Sequence, residues 1–172
     1  MKLKDVQTTE YNSFFQGYMD QVGDLPLVEN LKDGLKSSKA FFKGIPREKQ
    51  EFRYAENKWT PKEILLHLID SERIFCYRAL SFARSEHESL PSFDENTFAK
   101  NSRANSRSWE DLLEEYVAVR VATIKLFDSF NDEVLLRKGE VKQKTLSVRA
   151  TGFIICGHEA HHKRIITERY LQ

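Results

Sequence analysis

Hydrophobic residues recur along this chain at the three- and four-residue spacing of amphipathic α-helices. Four long segments show this pattern, and a shorter segment precedes them. In chain order, the predicted helices cover residues 8–21, 27–42, 60–84, 108–130 and 147–171. Only 7 glycines and 4 prolines interrupt the chain, which argues against many strands and tight turns. We therefore predict an all-α protein whose four long helices form a four-helix bundle.

Capping residues and polar connections mark where these helices begin and end. Thr60 can cap a helix in which Pro61 takes the first position and Glu63 completes a capping box. The connection that follows this helix, 85–106, is longer than a tight hairpin needs, so we expect it to cross the bundle or to cover part of it. The segment 131–146 is predicted to be a linker.

Composition and charge narrow the function classes. The length of 172 residues fits a single domain, 1–172, and a 40% hydrophobic fraction is enough for a buried core. A net charge of +1 gives no electrostatic reason to expect a nucleic-acid partner. Neither a signal-peptide core nor a membrane-spanning run of apolar residues is present, so we expect no membrane partner and a cytoplasmic location. Cys76 and Cys156 are expected to be buried, reduced thiols.

The candidate chemistry lies in the histidines. Positions four apart on an α-helix lie about 40° from one another, so His158 and His162 can face the same point. They share a stripe with apolar residues of the last helix, and His67 lies on the apolar stripe of an upstream helix. His161 and Glu159 lie about 80° from the centre of the pair and are expected to flank it.

Three inward-facing histidines on two helices allow two interpretations. A single buried histidine is commonly a hydrogen-bonded core residue, and each of the three can be one. Separate partners for three buried imidazoles are hard to provide, whereas one metal ion would bind all of them. The sequence therefore predicts a metal site formed by His67, His158 and His162. His87 lies in the polar connection and is expected to be solvated.

Three stretches resemble the DinB-like (DinB/YfiT) superfamily of metalloenzymes. The first, within 58–73, is a tryptophan followed by a helix start and the pattern His-Leu-x-Asp-x-Glu. The others are Leu90-Pro91-Ser92-Phe93-Asp94 and Gly157-His158-Glu159-Ala160-His161-His162. The similarity extends over most of the chain, 11–171. It implies a four-helix bundle with up-down-down-up topology, in which 85–106 supplies a long crossover between the second and third bundle helices, and it implies a homodimer.

The same resemblance implies a three-histidine divalent-metal site, which falls on His67, His158 and His162 in this chain. Imidazole nitrogens bind several first-row metals. We expect Zn²⁺ or Ni²⁺ as the first candidates for the ion, and Mn²⁺ or Fe²⁺ after them. Three protein ligands leave coordination positions free, which is typical of catalytic rather than structural sites.

Relatives in this family imply two enzymatic functions. The first is a metal-dependent S-transferase, in which a low-molecular-weight thiol cosubstrate attacks a small electrophilic molecule as its thiolate. The alternative is a metal-dependent hydrolase of a small molecule, with Asp70, Glu72 or Asp94 as the catalytic carboxylate. A third function is that of a non-catalytic, stress-associated dimer that binds metal. Arg78 lies on the His67 stripe, so its charge needs a partner, which is either substrate or a structural ion pair.

Overall fold

The computed structural model describes residues 1–85 and 89–172. Within these residues the chain forms seven α-helices and three short β-strands. The helices are α1 (Gln16–Met19), α2 (Leu27–Lys43), α3 (Pro61–Arg84), α4 (Glu95–Asn101), α5 (Trp109–Asp128), α6 (Asp132–Leu136) and α7 (Val148–Tyr170). The strands are β1 (Ser89–Leu90), β2 (Lys138–Val141) and β3 (Lys144–Ser147). His87, for which the sequence predicts a solvated position, lies outside the described residues.

The bounds of the long helices follow from local capping. The Thr60 hydroxyl accepts a hydrogen bond from the Glu63 N–H at 3.2 Å, and the Glu63 carboxylate accepts one from the Thr60 N–H at 2.7 Å. Pro61 takes the first helical position, so the predicted capping box is confirmed. Ser108 and Ser147 cap α5 and α7 in the same way, by accepting a hydrogen bond from a backbone N–H three residues on.

Side-chain contacts give the directions of the four long helices, α2, α3, α5 and α7. The pairs that define them are Arg73–Glu115 and Cys76–Thr123 for α3 with α5, His67–His162 and Phe75–His158 for α3 with α7, and Leu27–Gly152 and Ser37–Lys163 for α2 with α7. Residue numbers rise together between α3 and α5 and between α2 and α7, and they run oppositely between α3 and α7. The bundle is therefore up-down-down-up, as predicted. The connection between the parallel helices α3 and α5 must return along the bundle, which explains its length.

A small sheet replaces the linker that the sequence predicts at 131–146. This segment contains α6 and the antiparallel hairpin of β2 and β3, and β1 pairs with β2 in parallel to give the order β1-β2-β3. The hairpin turns at Lys142 and Gln143, whose φ angles are +48° and +61°. Two-residue turns of this kind are usually marked by asparagine or glycine. Neither occurs here, which is why the hairpin leaves no clear signal in the sequence.

The predicted first helix, 8–21, is also only partly formed. Short 3₁₀ turns occupy Thr8–Glu10 and Ser13–Phe15, and only Gln16–Met19 is α-helical. Glu10 anchors this segment, because its carboxylate accepts a hydrogen bond from Arg149 Nε and another from the Ser147 hydroxyl, each at 2.7 Å. The N-terminal segment therefore lies against the first turn of α7.

A polar layer divides the bundle core into two apolar clusters. One cluster includes Phe75, Phe82, Phe127 and Phe153, and the other includes Phe42, Leu65, Trp109, Tyr116 and Tyr170. Between them lie the buried side chains of Glu72, Arg120, His158 and Glu159. Charged groups persist at such depth only when they are paired or bind a ligand. No helix in the described ranges, 1–85 and 89–172, is long and apolar enough to cross a membrane.

Candidate metal centre

The structure brings the three predicted histidine ligands together at the polar layer. His67 projects from α3, and His158 and His162 project from successive turns of α7. Nε2 of His158 lies 3.0 Å from Nε2 of His67 and 3.0 Å from Nε2 of His162. One ring nitrogen from each residue lies within 4.8 Å of the other two, and no carboxylate or thiol of the described residues completes this group.

The chemistry of the three nitrogens fits a shared cation better than hydrogen bonds. Each nitrogen of a neutral imidazole carries either one proton or one in-plane lone pair, so it makes one in-plane hydrogen bond. Nε2 of His158 has two close nitrogen neighbours, and one hydrogen bond satisfies only one of them. Zinc–imidazole bonds are about 2.0–2.1 Å long, so nitrogens 3.0 Å apart can bind one ion.

Burial keeps these imidazoles in the form that binds metal. It lowers the pKa of His67 to about 4. Burial also holds the pKa values of His158 and His162 well below their ordinary value of 6.5, and the neighbouring histidines act in the same direction. The three rings are therefore neutral near pH 7, with lone pairs available for coordination.

Neighbouring side chains orient the ligands to different degrees. The Ser71 hydroxyl lies 3.4 Å from Nδ1 of His67, and the Trp59 ring packs 4.7 Å from the His67 ring. Nδ1 of His162 is buried and has no hydrogen-bond partner within the described part of the chain. Ring packing against His67, His158 and His161 positions His162 instead.

All three histidines line a cavity of about 390 Å³ between the bundle and the N-terminal segment. Six aromatic side chains besides the histidines line it: Phe14, Phe15, Tyr18, Trp59, Phe75 and Phe93. Charged groups enter it from three elements: Arg78 on α3, Glu95 on α4, and Lys142 and Lys144 on the hairpin. A concave, largely apolar site with a few convergent polar groups is typical of a small-molecule pocket.

The N-terminal segment covers one side of this site because residue 157 is glycine. A Cβ atom on Gly157 would lie 2.0 Å from the backbone carbonyl oxygen of Tyr18. The absence of a side chain lets α1 approach α7 closely, and the Tyr18 ring packs 5.2 Å from both His158 and His161. Any larger residue at 157 would displace the aromatic wall that α1 contributes.

A buried ion-pair network lies directly behind the histidines. Arg120 Nε and Nη2 each donate a hydrogen bond of 2.8 Å to the Glu72 carboxylate, and Nη2 lies 2.6 Å from Glu159 Oε2. The Tyr116 hydroxyl donates to the same Glu159 oxygen. Burial works to raise the pKa of Glu159, but the combined effect of Arg120, Ser38, Tyr116 and Lys163 outweighs it and holds that pKa below the ordinary value. Arg120 on α5 thus joins both helices that carry the histidines.

The three carboxylates predicted as catalytic residues have other contacts. Asp70 lies 3.7 Å from Arg73, Glu72 belongs to the Arg120 network, and Asp94 caps α4 through the N–H groups of Asn96 and Thr97. Hydrogen bonds to those two N–H groups lower the pKa of Asp94, although burial opposes them. None of the three lines the cavity. The structure therefore does not bring the predicted acids into the cavity that the three histidines line.

Sequence reasoning missed several residues of the cavity wall. Glu95, next to the predicted Asp94, is the carboxylate that lines the cavity, and Lys142 and Lys144 come from a segment predicted as a linker. Tyr18 comes from the segment predicted as a regular helix. His161 flanks the site as expected, and its ring packs beside Tyr18 and His162.

A model of the DinB superfamily matches residues 31–166, which is most of the chain. The chain belongs to the DinB superfamily. The resemblance carried by its three motifs is thereby confirmed, and the bundle agrees with it.

Solved structures similar to this DinB superfamily member have the same fold at low sequence identity. YfiT from Bacillus subtilis, described as a probable metal-dependent hydrolase with an unusual four-helix bundle topology, matches with a TM-score of 0.75 and 16% identity over 83% of this chain and 82% of its own. A mycothiol-dependent maleylpyruvate isomerase matches with a TM-score of 0.66 and 12% identity over 81% of this chain and 60% of its own. At these identities the likeness shows the fold alone. No curated protein matches the chain.

Proposed function

We propose that this DinB superfamily chain is a divalent-metal-dependent S-transferase that joins a low-molecular-weight thiol to a small electrophile. One observation carries the proposal. The three histidine nitrogens face a cavity that is lined by six further aromatic side chains. Among the described lining residues, Glu95 supplies the one carboxylate, and its side chain is exposed to solvent. Metal-dependent hydrolases commonly place a carboxylate base beside the attacking water, whereas a thiol can attack once its sulfur is held as a thiolate.

The reaction forms one carbon–sulfur bond and breaks one bond from the same carbon to a leaving group. The leaving group departs with the bonding electron pair, and the proton of the thiol passes to solvent. A divalent ion bound by His67, His158 and His162 would supply the Lewis acidity that lowers the pKa of the thiol. The aromatic wall would bind the apolar body of the electrophile and exclude water. The similarity in fold to a mycothiol-dependent isomerase supports this order of candidates.

Metal binding is the first test of the proposal. We expect the untagged protein to bind about one Zn²⁺ or Ni²⁺ per chain, with Mn²⁺ and Fe²⁺ as weaker candidates, by elemental analysis after dialysis. His162→Ala should lose most of this metal, since two imidazoles remain. His161→Ala is the matched control, because His161 lies beside the cluster and is outside it. A wild-type protein that takes up none of these ions would refute the metal site.

Turnover is the second test. Chlorodinitrobenzene and a panel of thiols that includes glutathione and bacillithiol would be mixed with the metal-loaded protein, and thioether formation would be followed by absorbance. We expect thiol-dependent turnover that falls at least about 100-fold in His67→Ala and stays near wild type in His161→Ala. Equal rates in the wild type and in His67→Ala would contradict the transferase.

Glu95 favours a second candidate, a metal-dependent hydrolase, because it is the described carboxylate that lines the cavity. The likeness to YfiT supports this alternative. In that case the metal-loaded protein should hydrolyse activated esters or amides without added thiol, and Glu95→Gln should slow it by about 100-fold or more. Protein that binds metal and shows neither activity would favour a non-catalytic metal-binding dimer. We also propose a homodimer, which sedimentation velocity of the metal-loaded protein would test.

A further inference from the structure

Arg78 is a buried cation at the cavity wall, and no negatively charged side chain of the described residues balances its charge. The residue is only 4% exposed. Among the described residues it makes one hydrogen bond, 3.3 Å long, from Nη2 to the carbonyl oxygen of Pro91. The rings of Phe75 and Phe93 lie 5.6 Å and 5.9 Å from the guanidinium carbon. No carboxylate of residues 1–85 or 89–172 lies within ion-pair distance of Arg78.

This arrangement differs from the usual treatment of buried charge in proteins. A guanidinium has five N–H donors in a planar fork, and its burial is unfavourable unless acceptors meet those donors. Burial lowers the pKa of Arg78, as expected for a cation without a carboxylate beside it. Glu95 lines the same cavity but makes no ion pair with Arg78. The donors of Arg78 are therefore available to a ligand in the cavity.

Arg78 and His67 line the cavity from the same helix, α3. His67, Ser71, Phe75 and Arg78 follow one another at spacings of four, four and three residues along α3, and all four line the cavity. Phe75 lies between the histidine cluster and Arg78, since its ring is 6.2 Å from the His158 ring and 5.6 Å from the guanidinium carbon of Arg78. Helical side chains lean towards the helix N-terminus, so Arg78 leans towards His67.

We propose that Arg78 binds a carboxylate of the small molecule that occupies the cavity, with the apolar part of that molecule lying along Phe75. A planar guanidinium matches a carboxylate through two parallel hydrogen bonds. Lys142 and Lys144 add positive charge to the same cavity. This inference rests on the proposed function and refines it, because it specifies an anionic substrate or an anionic thiol.

Equilibrium binding of unreactive probes to the metal-loaded protein would test Arg78 separately from catalysis. The probes are 3-phenylpropanoate and its neutral amide, 3-phenylpropanamide, followed by calorimetry or by ligand NMR. We expect the wild type to bind the acid at least about tenfold more tightly than the amide. Arg78→Met should abolish this preference and leave the affinity for the amide and the metal content unchanged.

Arg84→Met is the matched control, because Arg84 lies on the same helix, is exposed and does not line the cavity. It should keep the preference for the acid. A preference that survives in Arg78→Met would assign the carboxylate to the metal or to the lysines and overturn the inference. If Arg78→Met does not fold, Arg78→Gln takes its place, with the same loss expected and the same outcome counted against the inference.

A second arm separates the two sources of the carboxylate. The metal-loaded protein would be titrated with 3-mercaptopropanoate and with 2-mercaptoethanol, and the ratio of affinities would be compared with that of the phenyl probes. If Arg78→Met changes the acid-to-neutral affinity ratio only for the phenyl probes, the carboxylate belongs to the electrophile. If the variant changes that ratio only for the thiols, the carboxylate belongs to the thiol cosubstrate. A wild-type protein that binds no metal would refute the proposed function. A metal-loaded wild type that binds the acid no more tightly than the amide would refute only the role of Arg78.

Discussion

Arg120 and Arg78 are both buried in the same bundle, yet their surroundings are opposite. Arg120 is 1% exposed and contacts two carboxylates, those of Glu72 and Glu159. Arg78 is 4% exposed and contacts two aromatic rings and one carbonyl oxygen. The first guanidinium lies behind the histidines, between helices, and the second faces the cavity in front of them. The two side chains are buried to nearly the same extent, so the difference in their role comes from the groups that they contact.

The difference separates a structural charge from one available to a ligand. Arg120 binds Glu72 of α3 and Glu159 of α7, so it holds in register the two helices whose histidines must converge. Arg78 joins no second helix through an ion pair in the described residues. Removing one partner of a charge that is neutralised within the fold destabilises the protein strongly, whereas a buried charge without a partner lowers stability until a ligand binds it.

The largest effect is expected for Arg120→Met. It would leave Glu72 and Glu159 as buried carboxylates without their cation, and breaking a buried pair from one side costs about 3–5 kcal/mol. Urea unfolding at pH 7 would measure the loss. Arg73→Met is the control, because Arg73 has a half-exposed side chain in its pair with Glu115 and should cost about 1 kcal/mol or less. Equal losses in the two variants would remove the structural role of Arg120.

Metal removal should give the next largest change in stability, and this change originates at the histidine cluster that faces the cavity. A ligand that binds only the folded state stabilises it by about 2.7 kcal/mol at 100 times its Kd. The wild type should therefore unfold at lower urea concentration after chelation and dialysis. His162→Ala should unfold at the same urea concentration with and without metal, while His161→Ala should behave as wild type. Metal-dependent stability that persists in His162→Ala would place the ion elsewhere.

Arg78→Met should change stability in the opposite direction from Arg120→Met. Replacing an unpaired buried cation by an apolar side chain of similar length removes a desolvation cost, so we expect the free energy of unfolding to rise by about 1 kcal/mol. Thermal and urea unfolding of the ligand-free, metal-loaded protein would measure it. A loss of several kcal/mol would mean that Arg78 is a structural residue like Arg120.

The ion pair of a third arginine, Arg149, with Glu10 gives an effect of similar size and a test by pH. Burial works to raise the pKa of its partner Glu10, but hydrogen bonds from Arg149, the Gln7 N–H and Ser147 outweigh it and lower that pKa. A lowered pKa in the folded state adds stability above the unfolded value of 4.5, and that stability is lost as pH falls through the folded value. The difference between wild type and Glu10→Gln should be about 1 kcal/mol at pH 7 and should shrink below pH 4.5. A difference that is constant from pH 7 to pH 3 would contradict this.

Much of the fold and of the cluster formed by His67, His158 and His162 was predictable because the evidence for them is local. The capping box at Thr60 and Glu63 needs only neighbouring residues, and the four-residue spacing of His158 and His162 sets their shared direction. Placing His67 opposite them required only its apolar stripe. These inferences concern one helix at a time, where sequence distance and spatial distance agree.

The rest depended on partners that are distant in sequence. Glu72 was predicted as a catalytic carboxylate because nothing near it in sequence reveals Arg120, which lies 48 residues away. Arg120 itself interrupts the apolar stripe of its helix, and that interruption was the one indication in the sequence of a buried charge that needs a partner. The hairpin escaped prediction because Lys142 and Gln143 adopt positive φ angles without the residues that usually mark them. Glu95 enters the cavity through the path of the crossover, which local pattern does not determine.

The separation of 91 residues between His67 and His158 has a consequence for how the protein folds. An intermediate that lacks α7 has at most one of the three ligands in place, and an isolated α7 has only the pair His158 and His162. The complete site therefore forms only when α3 and α7 pack together, and we expect this step to follow the transition state of folding. Interactions absent from the transition state slow unfolding and leave the folding rate nearly unchanged. Metal binding should thus lower the unfolding rate and leave the folding rate nearly unchanged, so that the site contributes mainly to kinetic stability.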